Sequence, residues 1–211
     1  MQRQLTDYHI QFHAHDQLLP SDVDDVALRI TGDVVYVEYD VTDDQEPVET
    51  NVGHMLAYYF PVFSGREDGF SIFDQLDAVS GDAEECFEAL FDGEELREDI
   101  VDNMFEGDVI SSDILYVANM ELLPDHRGSG LGLAVIRKVI ERFAPRIGLV
   151  AIIPFPQVSS NSMYQVNGTS MQRIAQDPAI GRQKLRDYYG RLGFRQVGDT
   201  EVFALTAAWN I

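Results

Sequence analysis

Residues Arg127 to Gly132 combine an arginine with three glycines, at positions 128, 130 and 132. An apolar run precedes them, and a run with apolar residues three and four positions apart follows, which predicts a strand, a turn and a helix. Glycines let the backbone approach a ligand closely, and the unpaired amides of a first helical turn carry partial positive charge. The segment therefore predicts a site that holds a phosphate group.

The spacing excludes the two commonest nucleotide loops. The dinucleotide fingerprint needs glycines spaced G-x-G-x-x-G and an acidic residue about 20 positions later. The glycines here are spaced differently, and the next predicted strand, residues 148–153, contains no carboxylate. The Gly-Lys-Ser/Thr sequence of nucleotide hydrolases is absent as well.

A longer stretch, Met120 to Gly132, resembles motif A of the GCN5-related N-acetyltransferases, the GNAT superfamily. The characteristic positions of that motif are occupied here by Met120, Leu122, Pro124, Arg127, Gly130 and Gly132. A second segment, residues 185–194, resembles the late helix of that family, which commonly ends F-Y-x-x-L-G-F. The resemblance covers residues 114–205, and the first hundred residues fit it only loosely.

The resemblance implies an α/β fold, a GNAT-like mixed, largely antiparallel twisted sheet flanked by helices. We expect a single domain over residues 1–211, with a divergent half up to residue 113 and a CoA-binding half over residues 114–205. A helical insertion would precede the signature strand. The implied activity is acetyl transfer from acetyl-CoA to a primary amine of a small molecule or protein. Attack would be direct, in a ternary complex, because no cysteine lies near the motifs.

The resemblance also implies how the cosubstrate is bound. Its pyrophosphate would lie on the loop amides, and its pantetheine arm would add like a strand to the signature strand, which splays from its neighbour. The implied contacts are Met120, Glu121, Leu122, Arg127, Gly128, Ser129, Gly130, Leu131, Gly132 and Leu133.

Tyr189 is, by resemblance, the candidate general acid that protonates the departing thiolate. It also shares an apolar helical stripe with Leu185, Tyr188 and Leu192, so core packing is the competing interpretation. Arg182 stands where many members carry an asparagine. This departure favours the alternative of a non-catalytic acyl-CoA-binding or regulatory protein. A protein-interaction role for the acidic N-terminal half also stays open.

Glu121 is the candidate general base for the amine. Strand alternation places its side chain on the face opposite Met120 and Leu122. The competing interpretation is a strand-end carboxylate that faces water. No other base is evident, since residues 148–153, which carry the base in some relatives, offer no carboxylate.

The histidines and the single cysteine predict no metal site. The histidines at positions 9, 13 and 15 lie close together, but no cysteine or carboxylate pattern surrounds them. His54, at a strand start, is predicted to be structural. His126, beside the loop, either touches CoA or faces solvent, and Cys86 lies on an apolar helical face typical of a core.

The formal net charge of −21 argues against non-specific binding to nucleic acid or to an anionic membrane. Three explanations of this acidity remain open: capture of a cationic acceptor, adaptation to high salt, or solubility alone. No apolar run reaches about 18 residues, and no secretory signal is visible. We therefore expect a cytoplasmic protein, and a homodimer is compatible with the sequence.

The remaining elements follow from hydrophobic periodicity and turn residues. Residues 27–41 predict a bent strand or a hairpin around Gly32-Asp33, and residues 52–63 a central strand. The period changes to helical over residues 70–105, with breaks near Gly81 and Gly93 and a last helix over residues 94–105. The other predictions are strands 5–13, 114–122, 148–153, 194–197 and 201–205, helices 131–143 and 180–192, and a long loop over 154–178.

Overall fold

A computed structural model describes residues 4–15, 27–40, 46–62, 71–77, 79–106, 111–154 and 178–206. Its strands are β1 (Gln4–His15), β2 (Leu28–Asp40), β3 (Val48–Phe60), β4 (Phe91–Asp92), β5 (Glu95–Leu96), β6 (Ile114–Leu122), β7 (Leu149–Ile152), β8 (Arg195–Gln196) and β9 (Phe203–Thr206). Its helices are α1 (Ile72–Asp77), α2 (Gly81–Leu90), α3 (Glu98–Phe105), α4 (Leu131–Phe143) and α5 (Pro178–Gly190). None of these helices combines the length and the apolar character needed to cross a membrane.

Seven of the strands form one mixed sheet in the order β1-β2-β3-β6-β7-β9-β8, and β4 and β5 form a separate hairpin. Within the seven-stranded sheet, β6 and β7 run parallel and the other neighbouring strands run antiparallel. The α/β class and the largely antiparallel sheet are therefore confirmed. The strand β6 lies in the middle of the sheet, between β3 and β7.

Two hydrophobic cores cover the two faces of the sheet. One contains Leu115 and Val117 of β6 together with the apolar stripe of α4 and residues of α5. The other contains Ile114 and Tyr116 of β6 together with residues of α1, α2 and α3. Because neighbouring β6 residues enter different cores, this strand is buried on both faces, as a continuous apolar run predicts. Cys86 is fully buried in the second core, as expected.

The predicted strand 114–122 and helix 131–143 are confirmed to the residue. The other strands and helices of the second half are shifted by a few residues at their ends. The three helices before β6 agree with the helical period of residues 70–105. Most of the predicted loop 154–178 lies outside the described residues.

A hairpin at Gly32-Asp33 is wrong, because β2 continues through both residues. Gly32 serves packing between strands: an added Cβ would lie 2.9 Å from Ile10 Cδ1 and 3.4 Å from Met55 Cε. The pairing of β2 with β3 shifts register between Val34 and Val35, where β3 contains the extra residue Val52. Of the two alternatives, the single strand is therefore confirmed, although the extra residue at the register shift belongs to β3 and not to β2.

The last helix before β6 starts later than predicted, at Glu98 instead of Glu94. Gly93 has a φ of 62°, a left-handed conformation that turns the chain into the β4–β5 hairpin. Phe91 then pairs with Leu96, which had been expected on the helical stripe. Two strands of two residues each are too short to interrupt a helical pattern of apolar residues, so the sequence did not predict this hairpin.

Candidate functional site

The glycine loop, residues Arg127 to Gly132, joins β6 to α4 through a short 3-10 turn at Pro124–His126. Gly128 and Gly130 have φ angles of 83° and 87°, the left-handed region that residues with a Cβ avoid. Gly130 caps α4 without a side-chain hydrogen bond, and the first helical bond runs from Ala134 N–H to the Gly130 carbonyl. The amides of the first helical turn therefore point out of the helix at the loop.

Arg127 and Leu123 fix the loop to the end of β6. The Arg127 Nε–H donates to the Leu122 carbonyl at 2.7 Å. The Leu123 amide donates to the Val52 carbonyl of β3, also at 2.7 Å. The loop is thus held by hydrogen bonds at both the strand it leaves and the neighbouring strand.

The described pairing of β6 with β7 ends well before β6 itself ends. It pairs with β3 from Ile114 to Leu122, but its described pairing with β7 covers only Ile114 to Tyr116. Ala118 is an extra residue of β6 in the pairing with β3, where Val117 faces Ala57 and Asn119 faces Leu56. A bulge of this kind bends the strand and increases its twist. On the β7 side, no described strand pairs with residues Val117 to Leu122, and in this sense we call that segment the open edge of β6.

The bulge also decides which way the site residues point. Leu115 and Val117 enter the first core, and beyond the extra residue Met120 and Leu122 contact that same core. Glu121 therefore belongs to the opposite face, as strand alternation predicts. Its side chain does not face water, because Glu121 is only 8% exposed.

Glu121 lies at one end of a row of polar residues that crosses three strands. It is paired with His54 of β3, and His54 is paired with Asp33 of β2. The His54 Nδ1–H donates to Asp33 Oδ1 at 3.2 Å. The side-chain Nδ2 of Asn51 donates to the same oxygen at 3.1 Å. His54 is 7% exposed. We call Asp33, His54 and Glu121 the polar row.

The sequence carries no local signal for this row. In the sequence, His54 is an isolated histidine near the start of a predicted strand. Asp33 is the second residue of a dipeptide that is typical of a turn. Their association depends on the strand order and on the register shifts at Val34/Val35 and Leu56/Ala57. His13 also approaches the row, with Nε2 3.9 Å from Asp33 Oδ2, but its side chain is half exposed.

The two tyrosines of α5 occupy different places. The Tyr188 hydroxyl accepts the amide N–H of Leu133 in the first turn of α4 at 3.0 Å. It also lies 2.8 Å from where a Cβ on Gly132 would be, so glycine is needed there for close approach. Tyr189 is buried in the first core against Tyr188 and Phe194. Burial raises the pKa of both phenols. The role of Tyr189 as an acid stays a prediction.

Other chemical groups lie away from the loop or are committed to packing. Burial raises the pKa of the Cys86 thiol, which therefore stays protonated in the second core. His126 packs with Tyr8 and Tyr36, and its Nδ1 lies 3.0 Å from the Tyr8 hydroxyl. Among the described residues, no three His, Cys, Asp or Glu side chains are placed to hold a metal ion.

An open depression of about 610 Å³ is lined by residues 91–92 and 95–99, on the β4–β5 hairpin and the start of α3. These residues belong to neither the glycine loop nor the polar row. Since they contribute no group to the chemistry considered above, we do not place the site there.

No protein family model matches the chain, and no curated protein matches it in sequence. Among solved structures, the chain is similar to Arabidopsis thaliana NAA60 in complex with acetyl-CoA. The two are 13% identical, the match covers 82% of this chain and 76% of the other, and the TM-score is 0.36. A likeness this distant assigns neither a family nor a function.

Proposed function

We propose that this protein is an acetyl-CoA-dependent N-acetyltransferase that moves an acetyl group to a primary amine. One observation carries the proposal: the open edge of β6 leads directly into the glycine loop and the N-terminus of α4. An extended pantetheine arm can add to a strand edge through main-chain hydrogen bonds. A pyrophosphate can be bound by helix N-terminal amides. The two needs are met next to each other and in the order in which they occur along CoA.

The electrostatics of the loop suit an anion although the protein as a whole is strongly acidic. The chain has 36 acidic residues, yet none lies in the first turn of α4. Arg127 precedes that turn, and the helix dipole adds partial positive charge. Gly132 leaves the space that a side chain would take from a ligand or from Tyr188. These features suit the loop to a pyrophosphate.

In this proposal, the contacts to acetyl-CoA come from the β6 backbone at Met120 to Leu122 and from residues 127–133. Acetyl-CoA supplies the activated acyl group as a thioester. Glu121, beside the open edge and screened from water, attracts the acceptor ammonium and is the candidate base. Tyr189 is the candidate acid for the leaving thiolate. The acceptor attacks acetyl-CoA directly, because the one cysteine, Cys86, is buried in the second core and cannot carry the acetyl group.

A non-catalytic acyl-CoA-binding protein is the second candidate. Two observations favour it: Tyr189 is only 8% exposed, and Arg182 occupies the position of the usual asparagine. Such a protein would bind CoA through the same loop and strand edge without turnover.

The test is a thiol-release assay with acetyl-CoA and a panel of amines, comprising polyamines, aminoglycosides, lysine peptides and peptides with a free N-terminus. Release of CoA with at least one amine is the expected result. CoA binding without release for any amine would favour the second candidate, and absence of CoA binding would eliminate both. Repeating the assay at high salt separates the meanings of the acidic surface. A rate that falls with salt only for cationic acceptors indicates electrostatic capture.

A further inference from the structure

The polar row places an imidazole between two carboxylates next to the open edge of β6. Asp33 and His54 are direct partners across β2 and β3, and His54 and Glu121 are direct partners across β3 and β6. Opposite residues of this kind have Cβ atoms about 5 Å apart on the same face. The row therefore starts on β2 and ends on the strand proposed to hold the cosubstrate.

Burial makes the row chemically unusual. His54 and Glu121 are each more than nine-tenths screened from solvent. Ionisable side chains are rarely buried to this degree, because removing a charge from water costs free energy unless the group is paired. A strand centre that needed only packing would be more stable with apolar residues at these positions.

The contact with Asp33 determines the chemistry of the imidazole. When Nδ1 of His54 donates its proton to Asp33 Oδ1, the lone pair of the neutral ring lies on Nε2. Asn51 donates to the same carboxylate oxygen and so helps to hold Asp33 in place. A histidine whose ring is oriented by a carboxylate in this way is well suited to accept a proton.

We propose that His54 is the proton acceptor for the amine substrate, that Asp33 is its positioning residue, and that Glu121 holds the acceptor ammonium beside it. This inference rests on the proposed acetyl transfer, and it moves the role of general base from Glu121, the candidate from the sequence, to His54. Imidazole exchanges protons near neutral pH, so it is better matched than a carboxylate to removing a proton from an ammonium.

The ammonium of the acceptor gives one proton to His54 Nε2, and the resulting amine attacks the thioester carbonyl. The N–C bond forms and the C–S bond breaks, which leaves the amide and a thiolate. The second nitrogen proton is lost as the amide forms, and the thiolate takes up one proton. The His54 imidazolium returns its proton to water, so one proton is released per turnover.

The test compares His54→Gln, Asp33→Asn and the control His13→Gln, which changes an exposed histidine near the same carboxylate. Acetyl-CoA affinity by calorimetry, thermal unfolding and kcat with the best amine are measured for each protein. We expect kcat to fall about 100-fold or more in His54→Gln and about 10-fold in Asp33→Asn, with unchanged acetyl-CoA affinity. His13→Gln should stay within twofold of the wild type.

Two further measurements distinguish a base from a structural histidine. The wild-type kcat/KM should rise with pH through the neutral range, and His54→Gln should lose that rise. Among the residues that the structure describes, the charged and titratable groups near His54 are Asp33, Glu121 and, beyond Asp33, His13. Added imidazole should restore part of the rate in His54→Ala. If His54→Gln does not fold, the kcat and the pH profile of Asp33→Asn decide whether His54 acts as the base.

The outcomes separate this inference from the function on which it rests. Wild-type protein that releases no thiol with any amine overturns both. Active wild-type protein whose His54→Gln variant keeps its rate and its pH profile overturns the role of His54 and leaves acetyl transfer standing. The same holds if Asp33→Asn is fully active, or if imidazole fails to restore His54→Ala.

Discussion

The glycine loop and the polar row lie at the same end of β6, but the sequence encodes them differently. The loop is contiguous, and its glycines, its preceding strand and its following helix can each be read from local pattern. The polar row joins residues of three strands, and it exists only because those strands pair in one register. A contiguous binding loop can thus be predicted from a single sequence, whereas a cluster of residues from several strands can be found only once the fold is known.

The two regions should also separate in experiment. The loop makes the contacts proposed for acetyl-CoA, so changes there should appear in its affinity. The polar row is proposed to contact the acceptor amine. Substitutions there should therefore lower kcat and leave the affinity for acetyl-CoA unchanged. Variants that mix the two effects would break the distinction.

Glu121→Gln should give the largest effect of the three substitutions considered next. The amide keeps the shape of the side chain but removes the charge that attracts an ammonium, so kcat/KM for the amine should fall about 50-fold. Acetyl-CoA affinity should change less than twofold, because the strand contacts of Glu121 are made by its backbone. Steady-state kinetics with varied amine, together with calorimetry, check both. Equal loss of acetyl-CoA affinity would assign Glu121 to the cosubstrate site.

Tyr189→Phe tests the predicted acid against packing, with Tyr188→Phe as the matched comparison on the same helix. As a proton donor, Tyr189 should account for about 10-fold in kcat. Tyr188→Phe removes the hydrogen bond to the Leu133 amide and should cost about 1 kcal/mol of unfolding free energy with kcat within threefold. Kinetics and denaturant unfolding measure these quantities. A fully active Tyr189→Phe would leave Tyr189 as a core residue.

Gly130→Ala should have the smallest effect on function and is best compared with Gly198→Ala. Both glycines have positive φ and no atom within 4 Å of an added Cβ, so each alanine is strained by about 1–2 kcal/mol in the same way. Only Gly130 belongs to the loop. We expect similar losses of thermal stability, and a roughly fivefold loss of acetyl-CoA affinity in Gly130→Ala alone. Equal affinities in the two variants would contradict a role for the loop backbone.

Much of the second half of the fold could be predicted from the sequence. The apolar run 114–122 and the helical stripe of 131–143 are strong local signals, and their bounds agree with the structure. The loop between them could be predicted for the same reason. Glu121 could be placed on the face opposite Met120 and Leu122 by alternation alone, although its burial could not.

The rest depends on contacts between distant residues. Gly32 resembles a turn glycine, but it lies within a strand, closely packed against the side chain of Ile10 on the next strand. The extra residue Ala118 has no marker in the sequence, although it shifts the pairing of β6 with β3. The same holds for His54, whose contact with Asp33 depends on the register of β2 and β3. Local pattern contains none of these contacts.

The central claim is that the glycine loop and the open edge of β6 bind acetyl-CoA. The most direct measurement is a calorimetric titration of acetyl-CoA into wild-type protein, Ser129→Ala and Ser129→Glu. We predict measurable binding to wild-type protein, a change below threefold for the alanine, and a loss on the order of 100-fold for the glutamate, because its charge would lie beside the pyrophosphate. No binding to the wild type, or equal binding by all three proteins, would contradict the account.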